Sequence, residues 1–213
     1  MDLNDSQLHS LQVLRPLIRT RLAHWARYEV SDRFEARRAA VAVTLYEKPG
    51  QSTPLVLIIK RSPRFTNPGQ WALPGGRIET GESAVEAALR ELAEETALRA
   101  TASDVLGLLD DFSTTSGYVI TPVVVAVSGT QRPRRNPTEV TSIHPISLSR
   151  LVSPDVPRWQ QSRNGRALLQ MPLRHDMIIH APTGAILWQF AEVALKRRGV
   201  RVHDLLQPDF TAR

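Results

Sequence analysis

Residues 76–98, GRIETGESAVEAALRELAEETAL, constrain this chain more than any other stretch. A glycine-led loop runs into a segment read as a helix, carrying Arg90-Glu91-Leu92-Ala93-Glu94-Glu95. Glu91, Glu94 and Glu95 then stand at i, i+3 and i+4, which at about 100° per residue gathers three carboxylates within roughly 100° of arc on one face. Glu91 and Glu95 are like charges one turn apart, and no Lys or Arg is read onto the same arc. A divalent cation is the compensating charge this pattern calls for. Carboxylate oxygens suit a hard ion such as Mg²⁺, which keeps part of its water and shares phosphate ligands with a substrate.

The rest of the chain bounds the answer. Its 213 residues are enough for one domain with a full core plus terminal additions. With no cysteine, neither a disulfide framework nor a thiolate metal site is available. The start, MDLNDSQLHS, is too polar for a signal peptide, and no run approaches the roughly 18 apolar residues that span a bilayer, so a cytoplasmic location without membrane partners is expected. The net charge of +6 raises the question of nucleic acid. The excess is dispersed, with Arg132, Arg134 and Arg135 in one loop and Lys196, Arg197, Arg198 and Arg201 near the C-terminus, and it lacks an aromatic-interleaved stripe. A nucleic-acid partner is therefore disfavoured, and a phosphate-rich small substrate accounts for part of the charge.

Residues 3–30 read as helical, with Leu8, Leu11, Leu14, Leu22 and Trp25 on a loosely periodic face and Pro16 dividing the helix in two. This N-terminal helical extension, 1–35, precedes a main domain over 36–200 and a tail over 201–213; it hints at a homodimer. Segments 41–47 and 54–60 are apolar and β-branched, joined by a Lys48-Pro49-Gly50 turn, and read as core strands. Trp71-Ala72-Leu73 is a short strand leading into Pro74-Gly75-Gly76. Further strands are expected over 105–112, 118–127 and 139–146. A short helix starts at Ser147 or Ser149, a long loop over 153–165 is a candidate lid, and 168–171 with 177–179 form a hairpin. A last helix over 184–198 is capped by Thr183 and ended by Gly199. This order predicts an α+β fold, an α/β/α sandwich.

The loop and helix resemble the signature of the Nudix hydrolases, Gly-x5-Glu-x7-Arg-Glu-U-x-Glu-Glu-x-Gly-U with U aliphatic. Gly76, Glu82, Arg90, Glu91, Leu92, Glu94, Glu95 and Leu98 fall in register. Ala97, at the helix C-terminus, is the one departure. Glycine there eases a left-handed turn, so alanine costs about 1 kcal/mol of strain or the helix exits differently. The resemblance implies a mixed β-sheet in the Nudix-type sandwich and hydrolysis of a nucleoside diphosphate linked to another group, by water attack on phosphorus with Mg²⁺ or Mn²⁺ as cofactor. It implies Glu91, Glu94 and Glu95 as metal ligands, with the Gly75 carbonyl a further one. Arg90 would orient a carboxylate, lying beside Glu86 and Glu94 on the helical wheel. Glu82 would serve the helix N-terminus. Glu139 is the candidate general base; its alternative is a surface glutamate at a strand start. Asp110 and Asp111 are further candidates, of which adjacent strand positions allow at most one to face the site.

Upstream, 57–76 resembles the coenzyme A pyrophosphatase subgroup at Arg61-Ser62, while Thr66 and Pro68 stand where that subgroup's later pattern departs. The resemblance favours coenzyme A or an acyl-coenzyme A as the small-molecule nucleoside-diphosphate substrate. Arg61 and Arg64 suit such a ligand's 3′-phosphate and diphosphate, or else are exposed strand-end arginines. Trp71 fits the core at the pocket edge, or a stack on a base. Two rival readings remain, removal of pyrophosphate from RNA 5′ ends and a non-catalytic nucleotide-sugar sensor. The complete set of carboxylates argues against the sensor. His144, His175 and His180 are scattered without metal spacing.

Overall fold

The computed structural model describes residues 10–31, 36–51, 53–63, 69–127, 129, 131–161 and 167–208. Along the chain run α1 (Leu11–Ala23), β1 (Arg37–Tyr46), β2 (Leu55–Arg61), β3 (Trp71–Ala72), β4 (Gly75–Arg77) and α2 (Ala84–Thr96), then β5 (Val105–Leu108), β6 (Phe112–Ser113), β7 (Tyr118–Ala126) and β8 (Val140–Ser147). After these come α3 (Leu148–Leu151), β9 (Arg158–Gln161), β10 (Ala167–Arg174), β11 (Met177–His180) and α4 (Thr183–Gln189), the last continued by a π-helical segment, Phe190–Leu195.

The main sheet is mixed. β1 pairs parallel with β7 over nine positions, Arg37↔Tyr118 to Leu45↔Ala126, while its partners β2 and β4 are antiparallel. A second, antiparallel sheet runs β11-β10-β9. Strict alternation assigns the two faces of the main sheet. Ala40, Ala42, Leu57, Ile59, Val123 and Val125 pack with Ala87, Ala88 and Leu92 of α2. Val43, Leu45, Val56, Ile58 and Val124 pack with Leu11, Leu14, Ile18 and Leu22 of α1 and with Phe190 and Ala194. Helices on both faces of one sheet make the expected α/β/α sandwich. No helix among the described residues is long and apolar enough to cross a membrane.

Several expectations need correction. α1 stops at Ala23, and 25–31 carry no helix; Leu8 lies outside the described residues. Pro16 sits inside one continuous helix and does not divide it. The bond it removes would have gone to the Gln12 carbonyl, and Gln12 and Pro16 are both exposed, so water can serve that oxygen while the buried face holds the helix in register. Arg15 and Arg21 fasten the helix on either side of the proline, Arg15 to the Ala126 carbonyl at 2.6 Å and Arg21 to the Leu195 carbonyl at 2.7 Å.

The stretch 105–112 breaks after Leu108, and the proposed lid contains a strand, Arg158–Gln161, paired to β10; 162–166 lie outside the described residues. The last helix takes Thr183 as its first residue, not its cap, and turns left-handed at Arg197 (φ 57°) rather than at Gly199. Ser147 caps the short α3 by accepting from the Arg150 N–H.

Candidate active site

The helix that carries the carboxylates is built by local rules. Ser83 caps α2, its hydroxyl accepting from the Glu86 N–H at 3.2 Å while the Glu86 carboxylate accepts from the Ser83 N–H at 2.7 Å. Ala87 and Ala88 are fully buried against the sheet, and such small side chains let the Gly75-Gly76 backbone come close. Gly75 is required for a steric reason, since a Cβ there would lie 2.4 Å from the Ala40 carbonyl oxygen, and a Cβ at Gly76 would push the Glu91 carboxylate out of its place, 2.1 Å from Oε1. At the other end Ala97 takes φ 58°, ψ 8°, the left-handed turn glycine would favour, and its N–H donates to the Ala93 carbonyl at 2.9 Å. Alanine thus follows the glycine's path and bears its strain.

The last carbonyls of α2 anchor a distant loop. Asn136 N–H donates to the Glu95 carbonyl at 3.0 Å and Arg134 N–H to the Thr96 carbonyl at 2.7 Å. The 131–139 loop is thereby pinned to the helix end, with Asn136 Oδ1 accepting from the Thr138 N–H and hydroxyl. That pinning brings Glu139 to the helix face. One carboxylate oxygen each from Glu91, Glu95 and Glu139 lie within 4.8 Å of one another, two from successive turns of α2 and the third from a loop that only the fold brings there.

Charge in this cluster is poorly compensated. Burial, with Glu91 and Glu139 adding to it, pushes the Glu95 carboxyl up to about 8, although Arg61 and the Gly75 N–H, 3.0 Å from Glu95 Oε2, pull the other way. Burial also raises Glu91. Arg90 does reach this face, contrary to the expected arc without cations. It donates to Glu91 Oε1 at 2.8 Å and Glu94 Oε2 at 3.2 Å, and by two nitrogens to Glu82 at 2.9 and 3.1 Å. Glu86, its expected neighbour, is the partner of Ser83 instead. The Arg90 bonds hold Glu82 below the usual carboxylate range. Glu94 lies outside the three-carboxylate group, half exposed beside Arg90. Three oxygen donors short of positive charge are the set a hard divalent ion fits.

The cluster opens into a cleft of about 1260 Å³ lined by, among others, Arg61, Trp71, Gly75, Gly76, Glu91 and Glu139. Arg61 has a buried Nε with no hydrogen-bond partner among the described residues. Arg64 lies outside the described residues, as do Thr66 and Pro68. Trp71 is half-buried at the cleft edge, with Lys60 Nζ 4.9 Å from its ring centre and His144 edge-on at 4.7 Å. Asp110 and Asp111 are not in the cleft. Both are fully buried, because the strand breaks beneath them and both turn inward.

Sequence reasoning missed Arg37, Arg77 and Tyr118, which line the same cleft. The signal for them was alternation. Arg37, Ala39 and Val41 share one face of β1, Gly75 and Arg77 one face of β4, and Tyr118 and Ile120 one face of β7.

Residues 36–167 match the NUDIX domain family. The uncharacterised Nudix hydrolase NudL of Escherichia coli K12 is 34% identical over 148 residues, 68% of this chain and 69% of that protein. NudL of Pectobacterium atrosepticum is 32% identical over 165 residues, 74% of this chain and 82% of that one. A MutT/nudix family protein from Enterococcus faecalis shares the fold at a TM-score of 0.54 and 19% identity, covering 77% of this chain and 64% of that one. The chain therefore belongs to the Nudix family and is a hydrolase acting on pyrophosphate bonds.

Proposed function

We propose that the chain is a metal-dependent pyrophosphohydrolase that cleaves a nucleoside diphosphate linked to a further group by attack of water on phosphorus, with coenzyme A or an acyl-coenzyme A the favoured substrate. One observation carries this reading: carboxylate oxygens of Glu91, Glu95 and Glu139 lie within 4.8 Å of one another beside a cleft that also holds Arg61. Glu91 and Glu95 would hold Mg²⁺ or Mn²⁺, with Glu94 next to them on α2 and the Gly75 carbonyl as further ligands on the side away from Glu139. When bound, such an ion neutralises diphosphate charge and acidifies water.

The chain's own residues do the rest. Arg90 fixes the Glu91 and Glu94 carboxylates by charge-assisted bonds. Glu139, held on the pinned loop, takes the proton from the attacking water. Arg61, with Arg64 three residues on in the sequence, receives the substrate's diphosphate, and Trp71 walls the cleft next to it. The Arg61-Ser62 pair is what favours a coenzyme A-type ligand.

The test is a panel of coenzyme A, acyl-coenzyme A, ADP-ribose, NADH, diadenosine polyphosphates and capped RNA, assayed with Mg²⁺ and Mn²⁺. Turnover of at least one diphosphate, strongest with coenzyme A and lost in Glu94→Gln and Glu95→Gln without loss of fold, is the expected result. Wild-type turnover in both variants would reject the metal assignment.

A further inference from the structure

At one end of the cleft, Arg37 and Arg77 converge on a single tyrosine. The Arg37 guanidinium carbon lies 4.1 Å from the Tyr118 ring centre and that of Arg77 lies 5.6 Å from it, while Arg77 Nε donates to the Tyr118 hydroxyl at 2.8 Å. Arg37 is further tied to the Ser116 carbonyl. Among the described residues neither guanidinium has a carboxylate within ion-pairing distance, whereas Arg15, Arg27, Arg38, Arg90, Arg150 and Arg201 each have one. Two like charges are thus held in place by a ring and by carbonyl and hydroxyl oxygens, with their charge left for a ligand to meet. Thr114 and Ser116 hydroxyls line the same end, 3.1 Å apart.

The strands set the spacing. Arg77 is two residues along β4 from Gly75, about 7 Å, and Arg37 is four residues along β1 from Val41, the partner of Gly75, about 13 Å. All of these side chains share the cleft face, so one extended ligand can meet the carboxylates and the arginines together. The intervening floor, Ala39, Val41 and Ile120, is apolar and suits a nucleoside or another flat group.

We propose that Arg37, Arg77 and Tyr118 form a second anion subsite, which takes a phosphate group additional to the scissile diphosphate and selects substrates that carry one. This rests on the pyrophosphohydrolase reading for what occupies the rest of the cleft. The extra phosphate has two chemical sources, a phosphomonoester on the nucleoside ribose or a longer linear phosphate chain. Planar guanidinium forks receive either.

The experiment is calorimetric titration of the full chain with Mg²⁺ present, using adenosine 3′,5′-bisphosphate against AMP, and the adenosine 5′-triphosphate analogue with both bridging oxygens replaced by methylene against α,β-methylene-ADP, none of which offers a bond the enzyme should cut. Wild type is expected to bind the bisphosphate about tenfold more tightly than AMP, with Arg77→Gln and Arg37→Gln each reducing the ratio to within about twofold. Tyr118→Phe, which keeps both charges and removes only the hydroxyl holding Arg77, should give a smaller loss and guards against a folding defect, read by thermal unfolding. An advantage for the bis-methylene triphosphate over α,β-methylene-ADP instead, lost in the same variants, supports the subsite with a linear phosphate as its ligand. No advantage in either comparison in wild type, or one that survives all three substitutions, overturns it. Because binding is read without turnover, a chain that hydrolyses nothing in the panel yet keeps the preference would fail the functional reading alone.

Discussion

Two groups of carboxylates are withdrawn from solvent in this molecule, one wholly buried and one around the buried Glu95, and they are solved in opposite ways. Asp110 and Asp111 are fully buried, yet the chain surrounds them with its own donors. Asp110 accepts from Arg201 at 2.7 Å, the Trp25 indole at 3.0 Å, the Tyr28 N–H at 2.8 Å and Gln189 at 2.8 Å. Asp111 accepts from Arg27 at 2.6 Å, the Thr121 hydroxyl at 2.8 Å and the Val30 N–H at 3.0 Å. Glu91, Glu95 and Glu139 have the Gly75 N–H, one contact from Arg90 and the field of Arg61. Burial alone therefore does not mark a functional acid. The difference lies in whether the fold has supplied the counter-charge or left it to a ligand.

Substitution separates the two groups most sharply. Glu95→Gln keeps the shape and an acceptor for the Gly75 N–H, so metal-free stability should hold while Mg²⁺-dependent turnover falls on the order of 10³-fold, the scale of several kcal/mol of metal stabilisation. Asp110→Asn should do the reverse. It leaves Arg201 and a set of donors without their buried anion, costing about 3–5 kcal/mol and lowering Tm by roughly 10 °C, with turnover per folded molecule within a few-fold of wild type. Thermal melts and initial rates on both variants decide the matter. A stable, inactive Asp110→Asn would break the comparison.

How legible each group was in the sequence follows the same division. The α2 cluster is local, three glutamates inside five residues, and the loop-helix signature exposed it together with the strand-and-turn that leads into it. Asp110 and Asp111 were visible only as an acidic pair, because their partners come from 25–30, 189 and 201 and nothing in the local pattern joins those segments. Arg37 and Arg77 escaped for the same reason, being 40 residues apart and brought together by strand pairing. Pro16 looks like a helix breaker in the sequence because its solvent-facing position, which lets the helix run through it, is set only by the packing of α1. The core strands, by contrast, could be read from their apolar, β-branched runs.

A pH titration sharpens the contrast at smaller amplitude. The folded Glu95 carboxyl, raised to about 8, holds its proton where the unfolded chain has lost it. Its contribution is fully present below the ordinary glutamate value near 4.5, falls as pH rises from there, and is gone once pH passes about 8. Metal-free protein should therefore lose stability across that window, and Glu95→Gln should flatten the slope in urea melts taken between those limits. Added Mg²⁺ should oppose the loss, since binding favours the deprotonated form. An unchanged slope in Glu95→Gln would mean that the cluster is better compensated than its geometry indicates.

The smallest effect tests whether every signature position near the cluster belongs to its chemistry. Ala97 closes α2 two residues after Glu95, in a left-handed conformation that an alanine side chain resists. Glycine relieves that strain and also loosens the unfolded chain, and relief should prevail because the native φ is positive. Ala97→Gly is expected to gain about 1 kcal/mol, roughly 2–4 °C in Tm, while leaving kcat and metal affinity unchanged. Should turnover change instead, the helix exit would be setting the carboxylate geometry. The pinning of the Glu95 and Thr96 carbonyls by Asn136 and Arg134, which already fixes that end from outside the helix, makes the purely structural outcome the expected one.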